Sequence, residues 1–340
     1  MFHHSGPNGA LHAGGGRMTT FRSALVTGAT GFLGSVLVEH LLAQEIETIC
    51  LVRSRLAADR RKLPKDVRTI EATSFQASQL KTKLAGISAD VVFHLASYGV
   101  RQNDRDPHQL IEGNINLLTD LLQATADWPL RRFVHTGSCS EYGFPEGENV
   151  AIAESHPLRP ASLYGSAKAS SVLFGTALAS QLNVPFVTLR LFGVFGPHEA
   201  PDRLIPYLIA KLRRDETVDL TPGEQVRDLL YEEDVAEAFI AAADAIGMKS
   251  SEAYNVCSAR PTRIRDVGEA VADELGKPRH LLHWGERQYR ADEPLWLVGD
   301  SRRFTATTSW SPRVSVEEGI RRMIAATSLS GKKSEHQHAF

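Results

Sequence analysis

Short runs of apolar and β-branched residues alternate with longer segments of helical periodicity along most of the chain. The short runs predict strands at Ser23–Val26, Thr48–Val52, Val91–Leu95, Arg132–Thr136 and Val187–Leu191. The longer segments predict helices at Gly34–Ala43, from Pro107 onward with Asp106 as N-cap, from Ser162 to about Ser180, and from Leu204 to about Arg213. Because strands that alternate with helices form parallel βαβ units, the pattern predicts an α/β fold with a doubly wound parallel sheet.

Composition and charge exclude several functional classes. Of the 340 residues, 42% are hydrophobic and 23% are charged, which is ordinary for a globular protein and argues against extended disorder. A net charge of -2 gives no general attraction for nucleic acid or for an anionic membrane. The apolar runs are too short to span a membrane, and no leader pattern is present. Cys50, Cys139 and Cys257 are widely spaced, which suggests no metal site and predicts a reducing, cytoplasmic setting.

A glycine-rich segment, Thr27-Gly-Ala-Thr-Gly-Phe-Leu-Gly34, joins the first strand to the first helix. Glycines at these positions permit a tight turn, close approach of a pyrophosphate and packing of the helix on the strand. The amides at the helix N-terminus would face the anion. This context predicts a Rossmann fold that binds a dinucleotide, although such turns also occur without a cofactor. The predicted contacts are Gly28, Thr30, Gly31, Phe32 and Leu33.

The end of the second strand predicts which dinucleotide is bound. Chains that bind NAD usually place Asp or Glu there to accept hydrogen bonds from the ribose hydroxyls, whereas this chain has Arg53-Ser54-Arg55. A guanidinium pairs well with the 2′-phosphate of NADP. We therefore predict NADP. The alternative is a solvated basic turn, since Arg60, Arg61 and Lys62 follow.

Prolines and glycines interrupt the pattern after about residue 190 and predict a smaller lobe over the strand ends. The predicted organisation is a disordered tail (1–18), an NADP-binding Rossmann domain (19–190, with 226–258 returning to it), a substrate-binding lobe (191–225 and 259–327) and a second tail (328–340). The substrate is expected between the two parts.

Three residues suit hydride addition to a carbonyl group. Tyr164 and Lys168 are four residues apart at the start of a predicted helix, so they share one face. A nearby ammonium favours the phenolate and is predicted to lower the pKa of Tyr164 from about 10 toward neutrality. Ser138 follows a strand and is predicted to lie at the carboxyl edge of the sheet. Hydride addition to a ketone places negative charge on oxygen, which Tyr164 and Ser138 could stabilise.

The order of these motifs resembles the extended short-chain dehydrogenase/reductase family, the group of nucleotide-sugar epimerases, dehydratases and ketoreductases. The resemblance covers roughly residues 22–325. It rests on the GxxGxxG loop, His94-Leu-Ala-Ser97, Asn114, Ser138, the Tyr164/Lys168 pair, Leu189-Arg-Leu-Phe-Gly-Val-Phe-Gly-Pro197 and Arg227-Asp-Leu-Leu-Tyr231.

The resemblance implies a role for each site residue. Tyr164 would be the acid/base, Lys168 would also hold the nicotinamide ribose, and Ser138 would bind the reacting sugar oxygen. Further implied cofactor contacts are Leu95, Ala96, Ser97 and Thr136, and the implied substrate contacts are Tyr98, Ser140, His198, Arg203 and Arg227. Arg227 would bind the diphosphate of a nucleotide sugar, with a surface ion pair to Asp228 as the alternative. A homodimer formed by the helices near 110–126 and 162–180 is also implied.

Departures from the family pattern narrow the expected reaction. Dehydratases of the family carry adjacent acids after the catalytic hydroxyl, where this chain has Cys139 and Ser140. The segment is more similar to the loop of 4-ketoreductases, and an exchangeable NADPH fits net reduction. The expected function is NADPH-dependent reduction of the 4-keto group of a nucleotide-activated 6-deoxysugar. The alternatives are an NAD-dependent nucleotide-sugar epimerase and a non-catalytic dinucleotide-binding sensor.

Overall fold

The computed structural model describes residues 19–54, 63–64, 67–100, 104–143, 149–290 and 293–335. The strands are β1 Ser23–Thr27, β2 Glu47–Val52, β3 Arg68–Glu71, β4 Val91–His94, β5 Arg132–Ser138, β6 Phe186–Leu191, β7 Gly193–Phe195, β8 Val218–Leu220, β9 Val226–Tyr231, β10 Glu252–Val256, β11 Pro261–Arg263, β12 Leu282–Trp284 and β13 Trp296–Leu297. The α-helices are α1 Phe32–Ala43, α2 Ala77–Lys83, α3 Pro107–Ile111, α4 Leu117–Thr125, α5 Leu163–Gln181, α6 Leu204–Leu212, α7 Glu232–Asp244, α8 Ile264–Glu274, α9 Arg302–Thr308 and α10 Val316–Glu335.

Seven parallel strands form the main sheet, in the order β3-β2-β1-β4-β5-β6-β10. The chain moves outward from β1 to β3 and then crosses to β4 on the other side of β1. This reversal creates a switch point between β1 and β4, where doubly wound folds bind ligands outside the carboxyl ends of the strands. The predicted fold class is confirmed.

Two apolar layers cover the two faces of this sheet, as the alternation along β1 requires. Ala24 and Val26 belong to one core cluster, which includes Phe93 and Phe239. Leu25 belongs to the other, together with Leu118, Leu121, Phe133 and Phe186. Helices α1 and α7 pack together on the first face, and α2, α4 and α5 cover the second.

Helix boundaries follow local signals that were visible in the sequence. The Asp106 carboxylate accepts a hydrogen bond from Gln109 N at 2.9 Å, and Pro107 takes the first helical position. The Ser162 hydroxyl accepts from Gly165 N at 3.0 Å and caps α5. The predicted cap at Asp106 is confirmed, and Ser162, predicted as the start of its helix, is the N-cap residue. None of the helices within the described ranges is long and apolar enough to cross a membrane.

The smaller lobe has its own sheets and its own core. Strand β9 pairs with β7, β11 and β13, while β12 pairs with β8. Apolar residues of α6, α8 and α10 fill the lobe, including Leu208, Val271 and Met323. The assignment of 226–231 to the Rossmann domain is wrong, because β9 joins this second sheet. Its partners are only two or three residues long and leave little periodicity to detect.

The C-terminal boundary also differs from the expectation. Helix α10 continues to Glu335, whereas the lobe was predicted to end at residue 327. The segment from Val316 to Glu335 contains no proline, so nothing in it forces the helix to stop. The predicted tail at 1–18 and the last five residues, 336–340, lie outside the described residues.

Candidate active site

The glycine loop lies against the turn that follows β4. Gly28 has a φ of 71°, and a Cβ there would lie 2.6 Å from Ala96 N and 2.7 Å from Leu95 C. A Cβ on Gly34 would lie 2.1 Å from Gly28 O. Side chains at these two positions would therefore push apart β1, α1 and the neighbouring turn. The loop is closed by Gly31 N, which donates to Gly28 O at 2.8 Å.

The residues around this loop fit a dinucleotide. Among the described residues no side chain caps the first turn of α1, so its amides remain available to an anion at the switch point. Thr30, Phe32 and Leu33 are half-buried at the start of the helix. The other predicted cofactor contacts lie across the switch point. Leu95, Ala96 and Thr136 are half-buried, and Ser97 is exposed. The Thr136 hydroxyl is buried and has no hydrogen-bond partner among the described residues.

The residue that was predicted to select NADP lies at the carboxyl end of strand β2, as expected. Arg53 follows the last residue of β2 and is exposed. Arg55, Arg60, Arg61 and Lys62, which belong to the same basic stretch, lie outside the described residues.

Ser138, Tyr164 and Lys168 come together at the carboxyl edge of the sheet. Ser138 is the last residue of β5, and Tyr164 is the second residue of α5. The Ser138 side chain lies close enough to the Tyr164 phenol to lower its pKa. Lys168 follows one turn later on α5, with only 1% of its surface exposed. A carbonyl oxygen beside Ser138 and Tyr164 would meet two hydroxyl groups.

Burial moves both titrating side chains of this site toward their neutral forms. Burial raises the pKa of Tyr164 to about 12, against a lowering effect of the Ser138 hydroxyl. Burial lowers the pKa of Lys168 to about 8, against a raising effect of the Glu141 carboxylate. The predicted lowering of the Tyr164 pKa is therefore wrong for the protein alone, because desolvation of the phenolate dominates. At neutral pH Tyr164 is a phenol that can donate a proton.

A row of buried polar residues crosses the sheet behind Lys168. Thr27, His94, His135 and Thr188 occupy paired positions on β1, β4, β5 and β6. His94 Nδ1 lies 2.7 Å from Thr27 Oγ1, and the two imidazole rings stack with centroids 5.4 Å apart. Burial and the charge of Lys168 lower the pKa of His94 to about 3 and that of His135 well below its usual value. Both imidazoles are therefore neutral and add no positive charge beside Lys168.

A buried ion pair that the sequence analysis did not include lies beneath Ser138. Glu141 Oε1 accepts from Ser138 N, and Glu141 Oε2 accepts from Arg190 Nε, each at 2.7 Å. Arg190 also donates to Tyr142 Oη at 3.0 Å, and Tyr142 Oη donates to Asn255 Oδ1 at 2.7 Å. The spacing of Ser138 and Glu141, a Ser-x-x-Glu capping box, was the available sequence signal.

The predicted diphosphate ligand, Arg227, has a carboxylate partner in the smaller lobe. Its guanidinium forms an ion pair with Glu293, which Arg290 also contacts at 2.6 Å. The alternative pairing with Asp228 is wrong. Asp228 is buried, and it accepts backbone hydrogen bonds from Ser258 N at 2.7 Å, Ala259 N at 2.9 Å and Gly299 N at 3.2 Å. Two guanidinium groups thus converge on one carboxylate where a single arginine was expected.

The other predicted substrate contacts lie on separate segments of the chain. Arg203 precedes α6, and its charge lowers the pKa of Tyr164, which places it within electrostatic reach. His198 is exposed, with Nδ1 at 2.7 Å from Glu232 Oε1. Tyr98 is half-buried, and its carbonyl accepts from Asn114 Nδ2 at 2.9 Å. Ser140 is half-buried in the turn after Ser138, where its backbone N donates to the Ser138 hydroxyl at 3.2 Å.

The cysteines are free and buried. Cys139 and Cys257 pack with Tyr142, Ile152 and Phe192, and Cys50 lies in the main core. Burial raises the pKa of the Cys139 thiol to about 12, so it stays protonated beside the site. Within the described part of the chain, no three His, Cys, Asp or Glu side chains are grouped to hold a metal ion.

The chain is similar in sequence to one family of known proteins. The model of the NAD dependent epimerase/dehydratase family matches residues 24–257. The chain is 28% identical over 315 residues to the "Uncharacterized UDP-glucose epimerase YtcB" of Bacillus subtilis (strain 168), with 88% of this chain and 96% of that protein covered. It is also 28% identical over 330 residues to "dTDP-glucose 4,6-dehydratase 1" of Escherichia coli (strain K12), covering 88% and 91%.

A solved structure is similar over nearly the whole chain. It is the UDP-glucuronic acid 4-epimerase from Bacillus cereus in complex with UDP-glucuronic acid and NAD. The TM-score is 0.79 and the sequence identity is 26%, with 90% of this chain and 99% of that chain covered.

Proposed function

The chain belongs to the NAD dependent epimerase/dehydratase family, and from this premise we propose that it reduces the 4-keto group of a nucleotide-activated 6-deoxysugar with NADPH. The observation that carries the proposal is the grouping of Ser138, at the end of β5, with Tyr164 and buried Lys168 in the first two turns of α5. This group offers a ketone a proton donor, a second hydrogen bond and a cation, next to a loop that fits a dinucleotide.

Sugar dehydration fits the same site less well. Removal of water across C5 and C6 needs an acid and a base next to the reacting hydroxyl. Cys139 and Ser140 follow Ser138, and the Cys139 thiol is held protonated by burial. Glu141 is the acid of this turn, but its two carboxylate oxygens already accept from Ser138 N and Arg190 Nε. The turn therefore offers no free carboxylate for elimination.

Each residue of the group has a separate part in the proposed reduction. The reduced dinucleotide, when bound, supplies the hydride for the carbonyl carbon. Gly28 and Gly31 leave room for its pyrophosphate, and Lys168 would hold its ribose. As negative charge develops on the sugar oxygen, the Ser138 hydroxyl donates a hydrogen bond and Tyr164 transfers its proton. An alkoxide is a stronger base than a phenolate, so a phenol whose pKa is about 12 still delivers the proton.

Arg53 supports NADPH as the cofactor. It lies at the end of β2, where a carboxylate would repel the 2′-phosphate, and its guanidinium is exposed to receive that group. Replacing Arg53 with alanine should weaken NADPH binding by about tenfold or more, the usual size of one charge-assisted contact, and should leave NADH binding unchanged. Equal losses for both dinucleotides in a fluorescence titration would remove this support.

A second candidate is an NAD-dependent epimerase. The names of similar proteins favour it, since they include a UDP-glucose epimerase and a UDP-glucuronic acid 4-epimerase solved with NAD. Ser138, Tyr164 and Lys168 would serve this reaction as well, because it also passes through a ketone. The difference is that an epimerase returns the hydride and consumes no cofactor.

Measured cofactor balance separates these functions. The purified protein is offered CDP-, dTDP-, GDP- and UDP-linked 4-keto-6-deoxy sugars with NADPH. Oxidation of NADPH in a one-to-one ratio with reduced sugar is the expected result. Interconversion of C4 epimers without added cofactor would favour the epimerase instead.

The Tyr164→Phe variant tests whether the protein is an enzyme at all. This variant should lose turnover while NADPH still binds. NADPH binding without turnover in either protein, unchanged by the substitution, would favour a dinucleotide sensor.

We also propose that the protein is a homodimer joined through α3, α4 and α5. Leu173 and Phe174 on α5 leave 63% and 61% of their surface exposed, and Ile111 on α3 leaves 48%. Several large apolar side chains exposed on neighbouring helices are usual where a partner covers them. A second copy of the chain is the partner that fits this apolar surface.

A further inference from the structure

Glu141 is a buried carboxylate that the proposed reaction does not use directly. None of its surface is exposed, and it lies three residues after Ser138 in the turn that closes β5. One carboxylate oxygen accepts from the backbone N of Ser138, and the other accepts from Arg190 Nε, both at 2.7 Å. The buried ion pair is therefore attached to the residue that would bind the reacting oxygen.

We propose that Glu141 is a positioning residue, which holds Ser138 at the reacting oxygen and supplies the negative charge that balances Lys168. This inference rests on the proposed function for its effect on turnover. Its effect on Lys168 concerns the protein alone.

The architecture around Glu141 leaves this carboxylate little freedom. Arg190 lies opposite Gly137 in the register of β5 and β6, so its side chain can cross that glycine to reach Glu141. A Cβ on Gly137 would lie 2.7 Å from Glu141 Oε1. Arg190 itself is fixed by its bond to Tyr142 Oη and by stacking over the Tyr142 ring at 4.9 Å. Movement of Glu141 would thus remove the hydrogen bond that fixes the backbone N of Ser138.

Charge gives Glu141 a second effect on the site. The charged or titrating groups that act on Lys168 are His94 on β4, His135 on β5 and Glu141 after β5, while Tyr164 lies on its own helix. The two imidazoles are neutral, and Tyr164 is a phenol. Glu141 is therefore the negative group of this set, and it favours the ammonium form of Lys168. A carboxylate that only fixed the backbone of Ser138, and had no electrostatic effect on Lys168, would leave the charge state of Lys168 unchanged.

The test compares Glu141→Gln with Asp234→Asn. Asp234 is also a buried carboxylate that accepts backbone hydrogen bonds, but its partners are Arg313 N and Val314 N, in the chain that leads into α10. Glu141→Gln should lower kcat by about tenfold or more, the effect of losing one aligned donor at the developing oxyanion, with little change in KM. Asp234→Asn should keep the wild-type kcat.

A second readout needs neither substrate nor cofactor. The change in unfolding free energy caused by Lys168→Met is measured in the wild-type, Glu141→Gln and Asp234→Asn backgrounds at neutral pH. Because Glu141 offsets part of the cost of burying the ammonium, Lys168→Met should stabilise the Glu141→Gln protein more than the wild type. In the Asp234→Asn background its effect should equal that in the wild type. If Glu141→Gln alone does not fold, Glu141→Gln with Arg190→Met removes both charges and is used in its place.

The two readouts separate failure of this inference from failure of the proposed function. Absence of turnover in the wild type would reject the proposed reaction, and the stability comparison would still decide the role of Glu141. An identical effect of Lys168→Met in the wild-type and Glu141→Gln backgrounds would overturn the inference. So would a wild-type kcat in Glu141→Gln.

Discussion

Replacing Lys168 with methionine should stabilise the folded protein at neutral pH while abolishing turnover. Lys168 is almost completely buried, and burial lowers its pKa from the ordinary value of 10.5 to about 8. The ammonium is therefore less stable in the folded site than in the unfolded chain, where water solvates it. The site keeps this unfavourable charge because Lys168 serves the proposed reaction. Methionine carries no charge, so the substitution would remove the destabilisation.

The size of the gain follows from the two pKa values of Lys168. One pKa unit corresponds to about 1.4 kcal/mol, so a fall from 10.5 to about 8 represents about 3 kcal/mol of lost stability at pH 7. Methionine occupies nearly the same volume, and a volume-conserving change costs less than about 1.5 kcal/mol. The variant should therefore be about 2 kcal/mol more stable than the wild type at pH 7.

The dependence of this gain on pH gives a second check. Between pH 8 and pH 10.5 the unfolded chain binds more protons at Lys168 than the folded protein does, so wild-type stability rises with pH. The penalty on the ammonium is fully present below pH 8 and disappears as the pH approaches 10.5. The advantage of Lys168→Met should shrink over the same range.

Urea denaturation, followed by tryptophan fluorescence without added cofactor, measures both effects. Wild type and Lys168→Met are compared at pH 7 and at about pH 9.5, inside the window where the lysine titrates. Lys81→Met, at a lysine whose side chain is 51% exposed, is the matched control and should change stability by less than about 0.5 kcal/mol. A Lys168→Met protein that is no more stable than the wild type at pH 7 would refute the argument from burial.

Three further changes test the rest of the site. Gly34→Ala should weaken NADPH binding by about tenfold or more, because its Cβ would lie 2.1 Å from a backbone oxygen of the glycine loop. The control is Gly247→Ala, whose Cβ would meet nothing closer than 3.9 Å, and this variant should bind NADPH with the wild-type affinity in the same titration. Arg227→Met should weaken nucleoside-diphosphate binding in calorimetry by about tenfold, as expected for one charge-assisted contact, and an unchanged affinity would argue against a diphosphate subsite there. If the proposed dimer forms, Leu173→Glu should convert it to a monomer in light scattering, while Ile246→Glu, at a position 91% exposed, should leave the oligomeric state unchanged.

The main sheet could be predicted from sequence because its signals are local. Strand β6 was expected at Val187–Leu191 and begins one residue earlier, at Phe186. Helix α5 was expected from Ser162, and that residue is its N-cap. Apolar runs, a capping hydroxyl and a glycine turn each depend on residues that are close together in the sequence. The positions of these strands and helices can therefore be predicted from the sequence alone.

The electrostatics of the site could not be predicted in the same way. A lysine four residues from Tyr164 suggested a lowered phenol pKa, but the outcome depends on how much apolar surface encloses both groups. The link from Glu141 to Arg190 joins residues 49 positions apart and exists only once β5 and β6 pair. Likewise, Glu293 reaches Arg227 through a loop whose course has no periodicity to read. Contacts of this kind depend on tertiary packing, which a single sequence does not display.

The opposite pKa shifts of Tyr164 and Lys168 have a consequence for the direction of the reaction. With pKa values of about 12 and about 8, the neutral-pH state of the protein alone is a phenol beside an ammonium. A reductase starts from this state, because its first proton transfer is from the phenol to the developing alkoxide. An epimerase must first remove a proton from a sugar hydroxyl, and only about one phenol in 10⁵ is ionised at pH 7 when the pKa is about 12. Proton transfer between Tyr164 and the sugar oxygen is the same step run in opposite directions in the two reactions, so this pKa decides which form of the protein alone is ready first, and the measured cofactor balance distinguishes reduction from epimerisation.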